Sequence, residues 1–355
     1  MFLTVETDFG LNMLKHAPAN ESLVVSPLSV IFALAMVQAG AKGTTKSQIN
    51  AVLSKGSSDS EIKEHYSELS SQIMNAQNGV KSRIANGFFL NKQFTVEKDY
   101  ENSIKKSYNA NVEALDFDKA NEAAKIIDGF ISKTTEGKIK NMVNEGTIKG
   151  AHSLIVNAIY FTAKWAAKFY KGSNTKETFY STAENGREIE FMNEFEVHRQ
   201  YAEDGDFQVL SLHYMDMSFA FNIFLPKTRF GLDALRSRLD GEKIQGLLSS
   251  LKRTYITIRI PKMKIETDFK LKDALMAMGV SEMFTDKADL SGITKSPLQI
   301  SEAAHRAIIE VDEEGTTAAA VTRFKMIAVM ARMETPVEFR ADHPFLFILT
   351  KDNNP

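Results

Sequence analysis

The sequence predicts an α+β fold, built as one large domain over residues 1–355. The first 150 residues read mostly as helices, whereas strand-like runs dominate afterwards, with no regular strand–helix–strand alternation. No repeat, low-complexity tract or long Pro/Gly/Ser linker divides the chain. One domain is therefore preferred, although the 355-residue length alone suggests two or three.

Ser22–Ala41 carries no charge and approaches the length of a membrane span. It contains Ser26, Pro27, Ser29, Gln38 and Gly40, however, and reads better as two pieces. Ser22–Val25 is a short buried strand, and Ser26 caps a helix with Pro27 at its first position, where a missing N–H costs nothing. Thr45–Gln48 and Ser58–Glu61 each fit a capping box. The second opens a helix with Ile62, Tyr66, Leu69 and Ile73 at helical spacing. Ala124, Ile127 and Ile131 mark another helix, ending before Gly137.

Ser153–Phe161 (SLIVNAIYF) is nearly all apolar, as expected of a central strand buried on both faces. Gln208–His213, Ser218–Leu225 and Tyr255–Ile260 are further strands. Asp268–Met278 returns to helix, and Phe345–Leu349 is strand again. With 24 Phe and one Trp, phenylalanine fills much of the core.

Composition excludes several functions. The 43 basic residues against 45 acidic ones argue against a nucleic-acid binder. No cysteine is present, which removes disulfides, a thiol nucleophile and cysteine-based metal sites. Gly40–Ser47 only faintly resembles a phosphate loop, with the wrong glycine spacing, and reads as a helix start. No G-x-S-x-G or H-E-x-x-H occurs. The seven histidines are dispersed; His305, flanked by alanines, reads as a hydrogen-bonded core residue, and Lys105–Lys106 as a solvated helix face. The expectation is no catalytic residues, no metal, no cofactor and no membrane contact. The N-terminus MFLTVETDFG lacks the pattern of a secretory signal, because Glu6 and Asp8 interrupt its apolar residues. A cytoplasmic monomer is expected, or an extracellular one if a signal peptide has been removed.

Five ordered segments carry a resemblance. They are SPLSV at 26–30, NAIYFTAKW at 157–165, the long run IPKMKIETDFKLKDALMAMGVSEMFTDKADLSGI at 260–293, the stretch from Ser301 through EVDEEGTTAAAV, and ADHPFLFIL at 341–349. Together the chain resembles the serpins (serine protease inhibitors), most closely the branch without signal peptides. The resemblance implies a helical layer around three β-sheets, with an exposed reactive-centre loop at about 313–340. It also implies a suicide-substrate mechanism. A protease cleaves the loop and forms an acyl-enzyme, the freed segment enters the main sheet, and deacylation stalls. A non-inhibitory serpin (a binding protein, carrier or chaperone) is the alternative, as is inhibition of cathepsin-type cysteine proteases.

The loop has the composition that insertion requires. The hinge comprises Glu313, Glu314, Gly315, Thr316, Thr317, Ala318, Ala319 and Ala320, where Gly315 lets the backbone turn and small uncharged residues follow. By strand alternation Thr316, Ala318, Ala320, Thr322, Phe324 and Met326 share one face. Arg323 and Lys325 fall on the other, so one face enters the sheet without burying an unpaired ion. Non-inhibitory serpins tend to carry charged or bulky hinge residues; none occurs between Gly315 and Thr322.

The reactive bond is less determined. Family spacing from Glu313 reaches Val329–Met330, whereas counting back from Pro344 reaches Met333–Glu334, and the loop is a few residues longer than in typical members. Val329, Met330, Ala331 and Met333 suit a chymotrypsin- or elastase-like protease, and Arg332 suits a trypsin-like one. The hinge count favours Val329 or Met330. Also by resemblance, Ser26, Ser29, Asn157 and His305 form a hydrogen-bonded cluster beneath the opening sheet, with Trp165 at its top. No basic cluster suggests activation by a polyanion. The chain ends in KDNNP, where the family usually continues into one more short apolar strand.

Overall fold

The computed structural model describes residues 2–18, 21–316 and 335–355. The chain divides into two compact units. The first comprises Met1–Ala76, Ser82–Phe161 and Glu266–Ile308; the second comprises Gln77–Lys81, Thr162–Ile265 and Ile309–Pro355.

Helices open the first unit: α1 (Phe2–Lys15), α2 (Pro27–Gly40), α3 (Gly43–Leu53) and α4 (Asp59–Met74). Leu28–Gln38 of α2 is buried without interruption, which explains why the segment carries no charge. Among the described residues no helix is long and apolar enough to cross a membrane. The capping box of α4 is present: Glu61 N–H donates to Ser58, and Ser58 N–H donates to Glu61. Ile62, Tyr66, Leu69 and Ile73 of α4 are buried as their spacing predicts.

Two strands lie among these helices. β1 (Val80–Asn91) and β2 (Asn111–Leu115) flank α5 (Lys98–Tyr108), and α6 (Ala120–Thr134) follows, burying Ala124, Ile127 and Ile131. After a short turn α7 (Glu145–Ile148) comes β3 (Ser153–Lys164), buried over nearly its whole length.

The remaining strands are β4 (Thr175–Tyr180), β5 (Gly186–Glu203), β6 (Phe207–His213), β7 (Phe219–Pro226), β8 (Lys252–Pro261), β9 (Met263–Phe269), β10 (Glu302–Asp312), β11 (Gly315–Thr316), β12 (Val337–Arg340) and β13 (Leu346–Lys351). Short helices α8 (Leu232–Arg236) and α9 (Gly241–Ser249) precede β8, and α10 (Leu271–Ala277) follows β9. One sheet has the order β2-β1-β3-β11-β10-β9. The other runs β12-β8-β5-β6-β7-β13, with β4 on β5. The 18-residue β5 joins two limbs of that second sheet, pairing β8 along most of its length and β6 at its end. Counting the limbs separately gives the three sheets the resemblance implies. Nine of the twelve largest fully buried side chains among the described residues are phenylalanines, so the core is filled as composition indicates.

Four local expectations are corrected. Ser22–Val25 is irregular chain, exposed at Ser22 and half-buried after it, and not a strand, because among the described residues no strand pairs with it; Val24 N–H goes instead to the Thr267 hydroxyl, 2.9 Å. Ser26 occupies the N-cap position of α2, but its side chain makes no cap bond. Thr45–Gln48 does not start a helix. α3 begins at Gly43, and Thr45 donates to Glu282 while Gln48 accepts from the N–H groups of Ser281 and Glu282. These side chains satisfy the start of a different turn, Glu282–Phe284, so a tertiary partner outcompetes the local cap. Asp268 and Phe269 end β9 rather than start a helix, and α10 opens at Leu271.

Candidate functional site: the hinge and the sheet it enters

β10 ends in a tight reversal. Asp312 Oδ1 accepts hydrogen bonds from the N–H groups of Glu314 (2.9 Å) and Gly315 (3.2 Å). Burial raises the Asp312 carboxyl, against the pull of those two bonds. The chain then runs back as β11, antiparallel to both neighbours. Gly315 faces Asp312 and Lys164, and Thr316 faces Val311 and Ala163. Gly315 has φ +150°, and a Cβ there would stand 2.0 Å from the Ala163 carbonyl oxygen, so only glycine fits.

Backbone and side chains clamp this turn. Trp165 N–H donates to the Glu314 carbonyl (3.0 Å), Trp165 Nε1 to the Asp312 carbonyl (2.8 Å), and Phe169 N–H to the Glu313 carbonyl (3.0 Å). The Trp165 ring stacks on Tyr214, and the Tyr214 hydroxyl meets the buried Thr316 hydroxyl at 2.8 Å. Lys262 places its ammonium 3.1 Å from Glu313 and 3.4 Å from Glu190, and the Asn174 amide donates to both carboxylates. Lys168 pairs with Glu314. Burial alone would raise the Glu313 carboxyl, but backbone, Asn174 and Lys262 outweigh it and hold the group below its ordinary value.

Sequence reasoning singles out Glu313–Thr316 and Trp165 but misses Lys262, Asn174, Glu190, Lys168 and Tyr214. One signal was available: three successive carboxylates, Asp312–Glu314, closing a buried strand demand donors and cations close by.

A second cluster lies in the first unit, where β3 and β10 pair directly, parallel, from Leu154–Glu302 to Tyr160–Ile308. Asn157 and His305 are register partners and both buried. His305 Nε2 accepts from Ser26 N–H (3.0 Å), and Nδ1–H donates to Asn157 Oδ1 (2.5 Å). Ser29 Oγ donates to the same oxygen (2.8 Å), while Asn157 Nδ2 donates to Ser29 O (2.9 Å) and to Asn86 Oδ1 (2.6 Å). Each lone pair and N–H of the imidazole is thus assigned in its neutral form. Burial pushes the His305 pKa down to about 3. Ser26, Ser29, Asn157 and His305 come together in one hydrogen-bonded cluster, with Asn86 added. Trp165 stands at the hinge.

The hinge residues Thr317, Ala318, Ala319 and Ala320 and the reactive-bond candidates Val329, Met330, Ala331, Arg332 and Met333 lie outside the described residues. Among the described residues no cluster of three or more acidic or histidine side chains is placed to hold a metal ion.

Residues 4–355 match the family model described as Serpin (serine protease inhibitor). The chain belongs to the serpin family. Among its relatives, Serine protease inhibitor 42Dd of Drosophila melanogaster is 33% identical over 96% of this chain and 91% of that protein. The leukocyte elastase inhibitor of Xenopus laevis is 35% identical over 97% and 93%. Among solved structures, Serpin48 of the insect Tenebrio molitor, described as a highly specific serpin, superposes with a TM-score of 0.89 at 28% identity, covering 99% of this chain and 95% of that one. This serpin therefore has protease inhibitors among its relatives, and it has the serpin fold.

Proposed function

We propose that this serpin is a suicide-substrate inhibitor of a serine protease, with residues 1–355 acting as one domain. The protease serine attacks the carbonyl of a loop residue, Val329 by the hinge count. An ester forms and the amine of Met330 leaves. The released end of the loop then enters the sheet between β3 and β10 and carries the acyl-enzyme with it, so that hydrolysis of the ester stalls.

The observation that carries this reading is the position of Gly315 and Thr316, already bonded to β3 on one side and β10 on the other. Each further residue steps one position back along both strands. Residue 325 then falls opposite Leu154 and Glu302, which are themselves partners. Residues 317–325 would replace the direct β3–β10 pairing with two antiparallel ladders. The net gain is about one ladder, on the order of 10 kcal/mol at roughly 1 kcal/mol per bond.

Register also assigns the faces. Thr322 would lie beside Asn157 and His305, on the side where Ser26 and Ser29 bond to them, and its hydroxyl suits that polar cluster. Arg323 and Lys325 would take the opposite face, with Lys325 in register with the Glu302 carboxylate. A chymotrypsin- or elastase-like target fits Val329 and Met330, and a cytoplasmic location goes with this reading.

Incubation with chymotrypsin, pancreatic elastase, trypsin and a cathepsin, followed by a denaturing gel, tests the proposal. A covalent serpin–protease band supports it. Complete loop cleavage by every protease without such a band sinks it.

A further inference from the structure

Phe195 is one of few large apolar side chains standing half in solvent among the described residues, 51% exposed. A β-bulge puts it there. The register of β5 against β8 shifts between Glu194 and Val197, and Glu196 takes a left-handed φ of 55°. Bulges of this kind re-aim side chains and recur beside functional sites.

The guanidinium of Arg259, on β8, lies over the Phe195 ring, 5.9 Å from its centre. In register Arg259 faces Asn193 on one side and Arg340 of β12 on the other. The two arginines differ in their company. Arg340 has Glu177 at 2.8 Å and Asp342 at 3.4 Å. Among the described residues Arg259 has no ion pair, and its Nε is buried without a hydrogen-bond partner. The buried Nε cannot meet an outside partner, but the terminal nitrogens have no acceptor among the described residues either, and a carboxylate on a docked surface would supply one.

Chain length keeps this patch within reach of a protease held at the reactive bond. β12 starts at Val337, four residues after Met333 and eight after Val329. Extended chain spans at most about 3.6 Å per residue, so a protease on any candidate bond is tethered within about 29 Å of Val337. A protease domain has a radius of gyration of about 17 Å, so its surface can touch the β12–β8–β5 region while its active site holds the loop.

We propose that Phe195 and Arg259 form a docking site for the target protease, engaging an acidic side chain set in apolar surface of that protease next to its active-site cleft. The proposal rests on the reading of the loop as protease bait, and it adds a requirement on the partner beyond the bond cleaved. Arginine and aromatic side chains are the residue types that anchor interfaces, and charge complementarity acts mainly on association rate.

The test compares Phe195→Ala and Arg259→Gln with wild type and with Arg253→Gln, an exposed arginine toward the other end of β8. The second-order rate of loop attack, counting covalent complex and cleaved loop together, is measured with chymotrypsin, pancreatic elastase and trypsin at low and high salt. For the fastest protease, each patch variant slows attack roughly three- to tenfold, and Arg259→Gln flattens the salt dependence. The fraction ending as covalent complex stays as in wild type, as does every property of Arg253→Gln. Unchanged rates for both patch variants with all three proteases overturn the docking site, and so does an equal loss in Arg253→Gln. A wild type that is cleaved but never captured contradicts the inhibitory reading alone, since attack rates still report the patch. One that is neither cleaved nor captured overturns both.

Discussion

The indole of Trp165 lies flat against the ring of Tyr214, with centroids 4.6 Å apart and planes 4° from parallel. Trp165 donates through both of its nitrogens to hinge carbonyls, and Tyr214 reaches the Thr316 hydroxyl. The pair therefore holds the turn at Asp312–Glu314 and the start of β11 from two directions.

Tyr214→Phe removes the hydroxyl contact to Thr316 and keeps the stack. The expected cost is about 1 kcal/mol, a fall of roughly 2 °C in melting temperature. Differential scanning calorimetry checks it. An unchanged transition means that the hydroxyl pair contributes nothing.

Gly315→Ala forces a methyl group into the Ala163 carbonyl, 2.0 Å away. Either β11 leaves the sheet or the end of β3 shifts, and both disturb the start of insertion. The variant is expected to be cleaved as an ordinary substrate, with covalent complex reduced at least tenfold on gels. Wild-type capture by this variant contradicts the assigned role of Gly315.

His305 makes stability depend on pH. Its folded pKa of about 3 lies below the ordinary 6.5, because burial disfavours the cation. The unfolded chain binds the proton more readily between those values, so stability is fully present above about pH 6.5 and falls as pH drops toward 3. The slope approaches 1.4 kcal/mol per unit, giving a loss of about 2 kcal/mol at pH 5. Structurally, a proton on Nε2 would set one donor against another, the N–H of Ser26. Urea titrations from pH 7.5 to 5 measure this. His305→Gln should flatten that part of the profile, and an equally steep profile in the variant assigns the dependence to other groups.

Thr322→Arg and Arg323→Thr separate the two faces of the inserting segment. In the proposed register the first buries a charge beside Asn157 and His305, and capture should fail. The second removes a charge from the opposite face, and capture should persist. Equal behaviour in a partition assay rejects that register.

Much of the architecture is legible because local chemistry and tertiary packing agree. Ser58 and Glu61 close their capping box, and Ser153–Phe161 is apolar because β3 is buried in the sheet. Where they disagree, the reading goes astray. Thr45 and Gln48 look like a local cap but serve residues more than 200 positions away. β1 escapes notice because Ile84, Ala85, Phe88, Phe89 and Leu90 form an apolar run with no period to separate strand from helix. At the site, small residues and glycine mark the hinge, since shape restricts them. Lys262 and Asn174 carry no such mark, because a cation or amide becomes specific only when folding brings Glu190 and Glu313 beside it.

Insertion between β3 and β10 is the central claim, and calorimetry of the loop-cleaved protein tests it most directly. After a single cut at the reactive bond, the melting temperature should rise by roughly 10–20 °C, reflecting a ladder worth on the order of 10 kcal/mol. A cleaved protein that melts at or below the temperature of the intact one would show that the loop stays outside the sheet.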